Sequence, residues 1–222
     1  MSGQVAIEAA GILFDMDGVL VSSIDSVIRS WRRWARHYDV PNADTLESPH
    51  GMRAVEIVAL LKPGLDVAEG LKFIEDIEMD DVADLHVLAG VRELLQTLPP
   101  ERWAIVTSAT NRLLFGRLNA AGLPVPEHVI SGDMVERGKP DPEPYRKGAE
   151  LLHVAPSECI VVEDAPSGVG AGVAAGCRVL GVLGTHKEDE LRAAGASWIV
   201  RSLEDVSAQT APNGLALRLN SL

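Results

Sequence analysis

The chain has 222 residues, 46% of them hydrophobic and 23% charged, as expected for a globular protein with a substantial buried core. Its net charge of −12 argues against a nucleic-acid-binding surface, because phosphate contacts need clustered Lys and Arg residues. The two cysteines, Cys159 and Cys177, lie in or beside apolar runs, which predicts buried thiols in a reducing compartment. The sequence shows neither the pattern of a secretory leader nor an apolar run of spanning length. We therefore expect a cytoplasmic protein that binds neither nucleic acid nor a membrane.

The first predicted element is a buried strand at Ile12–Phe14, which ends in two carboxylates, Asp15 and Asp17, and in the turn residue Gly18. A glycine turn lets the chain curl after the strand, so that both carboxylates can converge at its carboxyl end. Open α/β sheets bind ligands at that edge, and paired carboxylates there suit a divalent cation with nucleophilic or acid–base chemistry. A solvated Asp-x-Asp-Gly turn explains the same residues when they are taken alone.

An all-helical insert is predicted between residues 21 and 85. Apolar residues recur at three- and four-residue intervals over residues 23–38, 54–61 and 66–81, and no strong strand pattern interrupts them. The insert therefore leaves the predicted sheet beside Asp15 and returns to it afterwards.

From residue 91 onward, strand-like apolar runs alternate with helical segments. This alternation predicts a parallel sheet with helices on both faces, which the strand before Asp15 completes. No element is predicted over residues 210–222. The predicted strands are Trp103–Thr107, Val129–Ser131, Cys159–Val162, Val179–Val182 and Trp198–Val200, and the predicted helices span residues 90–98, 111–121, 143–152, 168–175 and 187–194.

Polar residues mark the ends of two more predicted strands. Thr107 and Ser108 follow one apolar run and precede a helix, where hydroxyl and backbone N–H groups can bind an anion or simply cap the helix. Glu163 and Asp164 follow another run, and Asp164 joins the first carboxylate pair in an oxygen-rich site of the kind that Mg²⁺ prefers. Acidic residues at a helix N-terminus can also serve the helix dipole alone.

A single lysine, Lys139, stands among three prolines in the segment Gly138–Pro144. Because proline restricts its own φ and the residue before it, this lysine is presented from a defined backbone. A solvated lysine is the ordinary alternative, but the stiff loop favours a positioned cation.

Four short motifs thus occur in order, each at a predicted strand end or loop, and together they resemble the four motifs of the haloacid-dehalogenase-type phosphohydrolase superfamily. The resemblance runs from about residue 10 to about residue 205 and looks closest to small sugar-phosphate and polyol-phosphate phosphatases, such as glycerol-phosphate and deoxyglucose-phosphate phosphatases. It implies an α/β fold, a Rossmann-like parallel sheet core with a helical cap domain inserted after the first strand. Residues 1–20 and 86–222 would form the core and residues 21–85 the cap. The motifs are Asp15-Met16-Asp17-Gly18, Thr107-Ser108, Gly138-Lys139-Pro140 and Glu163-Asp164.

The resemblance implies a catalytic role for each matched residue. Asp15 would attack phosphorus and become an aspartyl-phosphate, and Asp17 would act first as general acid and then as general base. Lys139 would offset the negative charge around the phosphoryl group. Thr107 or Ser108 would bind phosphate, and the sequence leaves open which of the two does so.

The resemblance also implies Mg²⁺ as the cofactor. Asp15, Asp164 and the backbone carbonyl of Asp17 would hold the ion, and Glu163 would be an outer ligand. Carboxylate and carbonyl oxygens are the ligands that this ion takes in proteins.

The segment His50-Gly51-Met52-Arg53 resembles the cap loop that related phosphatases point into the active site, so His50 and Arg53 are candidate substrate contacts. A surface loop before a helix is an equal alternative. The sequence thus predicts a Mg²⁺-dependent phosphatase of a small phosphorylated metabolite, a sugar or polyol phosphate, acting as a monomer or homodimer. A phosphosugar mutase of the β-phosphoglucomutase type is the alternative, because the same two aspartates serve both reactions.

Overall fold

The computed structural model describes residues 3–46, 51–212 and 214–222. The strands in chain order are β1 (Gly3–Ala9), β2 (Gly11–Phe14), β3 (Val21–Ser22), β4 (His86–Val87), β5 (Trp103–Val106), β6 (Val129–Ile130), β7 (Cys159–Glu163), β8 (Arg178–Val182), β9 (Trp198–Val200), β10 (Val206–Ala211) and β11 (Gly214–Ser221). The helices are α1 (Ile24–His37), α2 (Ala54–Leu61), α3 (Val67–Asp80), α4 (Val91–Thr97), α5 (Asn111–Ala121), α6 (Glu143–Leu151), α7 (Pro166–Ala175) and α8 (Glu188–Ala194). Within the described part of the chain, none of these helices combines the length and the apolar character that crossing a membrane requires.

Six strands form a parallel sheet in the spatial order β6-β5-β2-β7-β8-β9. All four residues of β2, which lies between β5 and β7, are buried, as the continuous apolar run predicts for a strand covered on both faces. Phe14 packs on one face with residues of α4 and α5, and Leu13 packs on the other with residues of α6 and α7. This arrangement confirms the predicted α/β class.

Three helices, α1, α2 and α3, lie between β3 and β4 in the chain and pack around an apolar cluster of their own. Trp34 of α1 is fully buried in this cluster, and its indole Nε1 donates to the carbonyl of Gly70 at 2.9 Å. The two connections to the sheet, β3 and β4, pair antiparallel, with Val21 opposite Val87. The predicted helices are present, and the division into domains after residues 20 and 85 stays a prediction.

A second sheet, antiparallel and in the order β1-β11-β10, is absent from the prediction. Leu215, Leu217 and Leu219 are buried while the residues between them are more exposed, which is the period-two pattern of a strand with one face on the core. The three leucines pack in the same cluster as Phe14. The segment after residue 210 is therefore part of the core, where it pairs with a strand that precedes the predicted first one.

Candidate active site

The carboxyl ends of β2, β5 and β7 bring three of the four motifs together. Asp15 directly follows β2, Thr107 directly follows β5, and Glu163 and Asp164 stand at the end of β7. Because β2 pairs with both of the other strands, Asp15 has a motif on each side. Lys139 reaches the same place from the loop between β6 and α6. This edge is where open α/β sheets bind ligands.

Lys139 connects the first motif with the last. Its Nζ atom donates to Asp15 Oδ1 at 2.6 Å, to Glu163 Oε1 at 2.7 Å and to the carbonyl of Val106 at 3.1 Å. The side chain is only 2% exposed, and these three oxygens match the three N–H donors of an ammonium group. The structure therefore places a fixed cation beside Asp15 and not a solvated lysine.

Glu163 accepts four hydrogen bonds in a buried network. In addition to Lys139, Oε1 accepts from the hydroxyl of Tyr145 at 2.6 Å, and Oε2 accepts from the next two backbone N–H groups at 3.1 and 3.2 Å. Gly168 makes room for this carboxylate, since a Cβ atom there would overlap it. The sequence gives no motif signal for Tyr145, which lies within α6.

The buried charges shift one another's pKa values. Burial raises the pKa of Asp15 to about 7, although Lys139 opposes the shift. Burial, Glu163 and Asp15 raise the pKa of Asp164 well above its usual range. Burial acts to lower the pKa of Lys139, but the two carboxylates beside it outweigh that effect and raise it. The cluster thus has one ammonium group and three carboxyl groups, and a bound cation would offset their excess of negative charge.

Oxygen atoms of Asp15, Glu163 and Asp164 lie within 4.8 Å of one another, close enough to serve one metal ion. This all-carboxylate donor set fits a hard cation such as Mg²⁺. The hydroxyl of Thr185 donates to Asp164 Oδ2 and so orients that side chain. Because both oxygens of Glu163 already accept hydrogen bonds, Asp15 and Asp164 are the better placed direct ligands.

Asp17 is held at both carboxylate oxygens. Oδ1 accepts from Ser23 Oγ at 2.7 Å, and Oδ2 accepts from Arg117 Nη1 at 2.6 Å. Gly18 follows with a φ of +85°, and its N–H group donates to the carbonyl of Val21 at 2.8 Å, which closes the turn that the glycine predicts. Asp17 lines the same cavity as Asp15.

The two hydroxyl groups after β5 have different partners. Thr107 Oγ1 accepts from a backbone N–H group at 3.1 Å, whereas Ser108 Oγ donates to the carbonyl of Gly51 at 2.7 Å. The side chain that caps α5 is that of Thr110, so capping does not account for the other two hydroxyls. In the described part of the chain, the O–H proton of Thr107 has no acceptor.

Of the two residues predicted to contact substrate, His50 lies outside the described residues. The guanidinium of Arg53 donates to Glu56 Oε1 at 2.6 Å and to the carbonyls of Val135 and Glu136 at 2.9 and 3.0 Å. Those carbonyls precede the Lys139 loop, so Arg53 joins the helical insert to the core in this conformation. A direct contact with substrate stays a prediction for both residues.

Arg117 and Glu78 also line the cavity at Asp15, and neither was predicted from the sequence. Arg117 Nη2 donates to Glu78 Oε2 at 2.6 Å, which joins α5 of the core to α3 of the insert. The sequence did hold one indication of Arg117. It lies three residues after Leu114 and four after Leu113, which places a charged residue on the apolar face of the helix.

Comparison with protein families matches residues 12–182 to the haloacid dehalogenase-like hydrolases. Hexitol phosphatase A of Escherichia coli is 39% identical, over 92% of this chain and 96% of that protein. Glycerol-1-phosphate phosphohydrolase 2 of Saccharomyces cerevisiae is 29% identical, over 91% of this chain and 86% of that protein. The crystal structure of a hydrolase from Pseudomonas syringae has a similar fold, with a TM-score of 0.78 and 24% identity over 87% of this chain and 93% of its own. As the four motifs predict, the chain belongs to the haloacid dehalogenase-like hydrolase family.

Proposed function

We propose that the protein is a Mg²⁺-dependent phosphatase that hydrolyses a small sugar phosphate or polyol phosphate through an aspartyl-phosphate. The observation that carries the proposal is the buried group of Asp15, Lys139 and Asp164 at the carboxyl ends of β2 and β7. The names of two relatives, a hexitol phosphatase and a glycerol-1-phosphate phosphohydrolase, support the substrate class.

In the first step, a carboxylate oxygen of Asp15 bonds to phosphorus while the bond from phosphorus to the ester oxygen breaks. Asp17 gives a proton to that oxygen, so that the alcohol leaves as a neutral molecule. Lys139 lies 2.6 Å from Asp15 Oδ1, so its positive charge stands beside the carboxylate that the negatively charged phosphoryl group must approach. Thr107 is the better phosphate ligand, because the hydroxyl of Ser108 is engaged by Gly51.

In the second step, Asp17 takes a proton from a water molecule whose oxygen attacks phosphorus. The bond between phosphorus and Asp15 breaks, which releases inorganic phosphate and restores the carboxylate. Ser23 and Arg117 donate to the two oxygens of Asp17, which orients the carboxylate to accept the proton in this step.

The donor set is compatible with Mg²⁺. Asp15, Asp164 and the backbone carbonyl of Asp17 would hold it, and Glu163 would remain an outer residue because its oxygens bind Lys139 and the network around it. When bound, the ion supplies positive charge against the phosphoryl oxygens.

The test is a screen of phosphate release with Mg²⁺ present. Purified protein is incubated with hexitol, glycerol and deoxyglucose phosphates, and Asp15→Asn serves as the control. We expect free phosphate from at least one of these substrates, and none from the variant or after chelation of the metal.

Product analysis separates the two candidate reactions. The mutase alternative predicts an isomerised sugar phosphate without free phosphate. Absence of release from every substrate would overturn the proposed function. Cytoplasmic location and a monomeric or homodimeric state stay predictions from the sequence.

A further inference from the structure

Apart from the catalytic residues, the cavity at Asp15 is lined by apolar side chains and by one pair of charged side chains. Trp31 and Ile57 of the insert and Leu113 of α5 supply apolar surface. Arg117 and Glu78 supply a charged pair within that surface. Such a mixture suits a ligand that is polar but uncharged, since a few placed polar groups orient it against apolar walls.

Arg117 is already paired on two sides. Nη1 binds Asp17 Oδ2 and Nη2 binds Glu78 Oε2, each at 2.6 Å, and the side chains of Arg117 and Glu78 are 9% and 7% exposed. Once Glu78 is ionised, above about pH 7, one guanidinium charge faces two carboxylates, and this part of the cavity then has no spare positive charge for a second anionic group. A phosphate or carboxylate brought here would lie beside Glu78 in a poorly solvated place, where repulsion is strong.

Hydrogen-bonding capacity nevertheless remains at the pair. A guanidinium group has five N–H donors, and two of them are used by Asp17 and Glu78. In the described part of the chain, Glu78 Oε1 receives no donor. A hydroxyl group can both donate to this carboxylate and accept from Arg117, which a second anion cannot do.

We propose that Glu78 and Arg117 form the leaving-group subsite, which binds hydroxyl groups of an uncharged polyol or sugar chain and rejects substrates with a second phosphate or carboxylate. The inference rests on the proposed phosphatase function and restricts its substrates to phosphate esters whose leaving group is uncharged. It also opposes the mutase reaction, because passing a phosphoryl group to a sugar monophosphate produces a bisphosphate in this cavity.

The test compares Glu78→Gln with the unchanged protein at pH 8, where Glu78 is ionised, on three groups of substrates. Sorbitol 6-phosphate and glycerol 1-phosphate have neutral leaving groups, 3-phosphoglycerate and fructose 1,6-bisphosphate have anionic ones, and p-nitrophenyl phosphate needs neither kind of contact. We expect kcat/KM for the neutral pair to fall about tenfold, mainly through KM, because one hydroxyl loses its charged acceptor. We expect the ratio of anionic to neutral turnover to rise, and the fall in kcat/KM for p-nitrophenyl phosphate to be smaller than that for the neutral pair.

The matched control is Asp76→Asn, which removes another ion pair between the same two helices. Asp76 of α3 binds Arg112 of α5 at 2.6 Å, and neither residue lines the cavity. The substrate ranking of this variant should equal that of the unchanged protein. If it shifts in the same way as that of Glu78→Gln, the Glu78–Arg117 pair only holds the helices together and the inference fails.

Two further outcomes are distinguishable. Equal loss on all substrates, p-nitrophenyl phosphate included, would show that Glu78 acts only through Asp17 and would overturn the subsite while leaving the phosphatase function standing. If the unchanged protein releases phosphate from none of the substrates, the proposed function and this inference both fail.

Discussion

Nζ of Lys139 lies 2.6 Å from Oδ1 of Asp15, and both residues are almost excluded from solvent. The contact joins positions 124 residues apart in the chain, and Lys139 is held on its other side by Glu163. The cation therefore needs no rearrangement to act on charge at Asp15, and preorganised charge of this kind is commonly the largest single contribution to such transfers.

Asp15→Asn should reduce phosphate release to a trace and leave the fold intact. An amide offers neither the nucleophilic oxygen nor the charge that a metal ligand needs. Turnover with a polyol phosphate and the thermal unfolding midpoint are measured on the same preparation. More than trace activity in a sample free of unchanged protein would remove Asp15 from the nucleophile position.

Lys139→Ala should abolish turnover and also destabilise the fold. It leaves Asp15 and Glu163 buried without their counter-charge, and breaking a buried pair in this way costs about 3–5 kcal/mol. Lys139→Arg should restore little activity, because a planar guanidinium does not fit a site that gives three acceptors to one nitrogen. Urea unfolding and kcat are measured for both variants, and nearly full activity in the arginine variant would show that only diffuse charge matters.

The predictable part of the site consists of residues at strand ends and of one lysine in a proline-rich loop. Asp15, Thr107 and Asp164 follow apolar runs, and parallel strands bring their carboxyl ends to one edge, so pattern and topology together place them. The residues that the sequence did not reveal, Tyr145 and Arg117, lie inside helices, and their hydrogen bonds at the site are to residues of other elements. The pattern of apolar and polar residues within one helix does not predict hydrogen bonds to other elements.

In the fold as well, the sequence pattern predicts elements better than it predicts contacts between distant segments. The parallel sheet follows from strand–helix alternation, whereas the antiparallel sheet pairs Gly3–Ala9 with Gly214–Ser221, the two ends of the described chain. The alternating leucines of β11 were a usable signal for a strand. Its partner was not predictable, because pairing at that separation is decided by packing on the core.

Asp17→Asn should slow turnover by about 10²–10⁴-fold, the usual contribution of a general acid–base group. Metal affinity should change little, because the ligand expected at this position is the backbone carbonyl. Calorimetric titration with Mg²⁺ and steady-state kinetics at saturating metal separate the two effects. A large loss of Mg²⁺ affinity with near-normal turnover would contradict this division of roles.

Gly18→Ala should strain the turn and displace the carboxylate of Asp164, an expected metal ligand. Gly18 has a φ of +85°, where an L-residue costs about 1–2 kcal/mol, and its Cβ atom would overlap the carboxylate of Asp164. We expect weaker Mg²⁺ binding together with a lower free energy of unfolding. Gly170→Ala is the matched control, because a Cβ atom in that part of α7 meets nothing within 4 Å. That variant should be as stable as the unchanged protein or slightly more so. If the two substitutions changed stability and Mg²⁺ binding equally, the positive φ of Gly18 and its closeness to Asp164 would not be the cause.

The stability of the protein should depend on pH through Glu78. Burial raises the pKa of Glu78 from 4.5 to about 7; Arg117 opposes the shift, and Asp17 and Glu75 add to it. Between pH 4.5 and 7 the folded state therefore keeps a proton that the unfolded state has lost. The free energy of unfolding due to this group falls as the pH rises through that interval, by up to about 3 kcal/mol, and is constant above it.

Glu78→Gln isolates this effect, because the amide does not titrate and the other acidic residues are common to both proteins. Urea unfolding is followed for both between pH 5 and 8 without added metal. The unchanged protein should lose stability relative to the variant as the pH rises to about 7, after which the difference should level off. A difference that stays the same at every pH would show that Glu78 titrates as an ordinary carboxyl group, and its burial against Arg117 would then carry no penalty for the charged form.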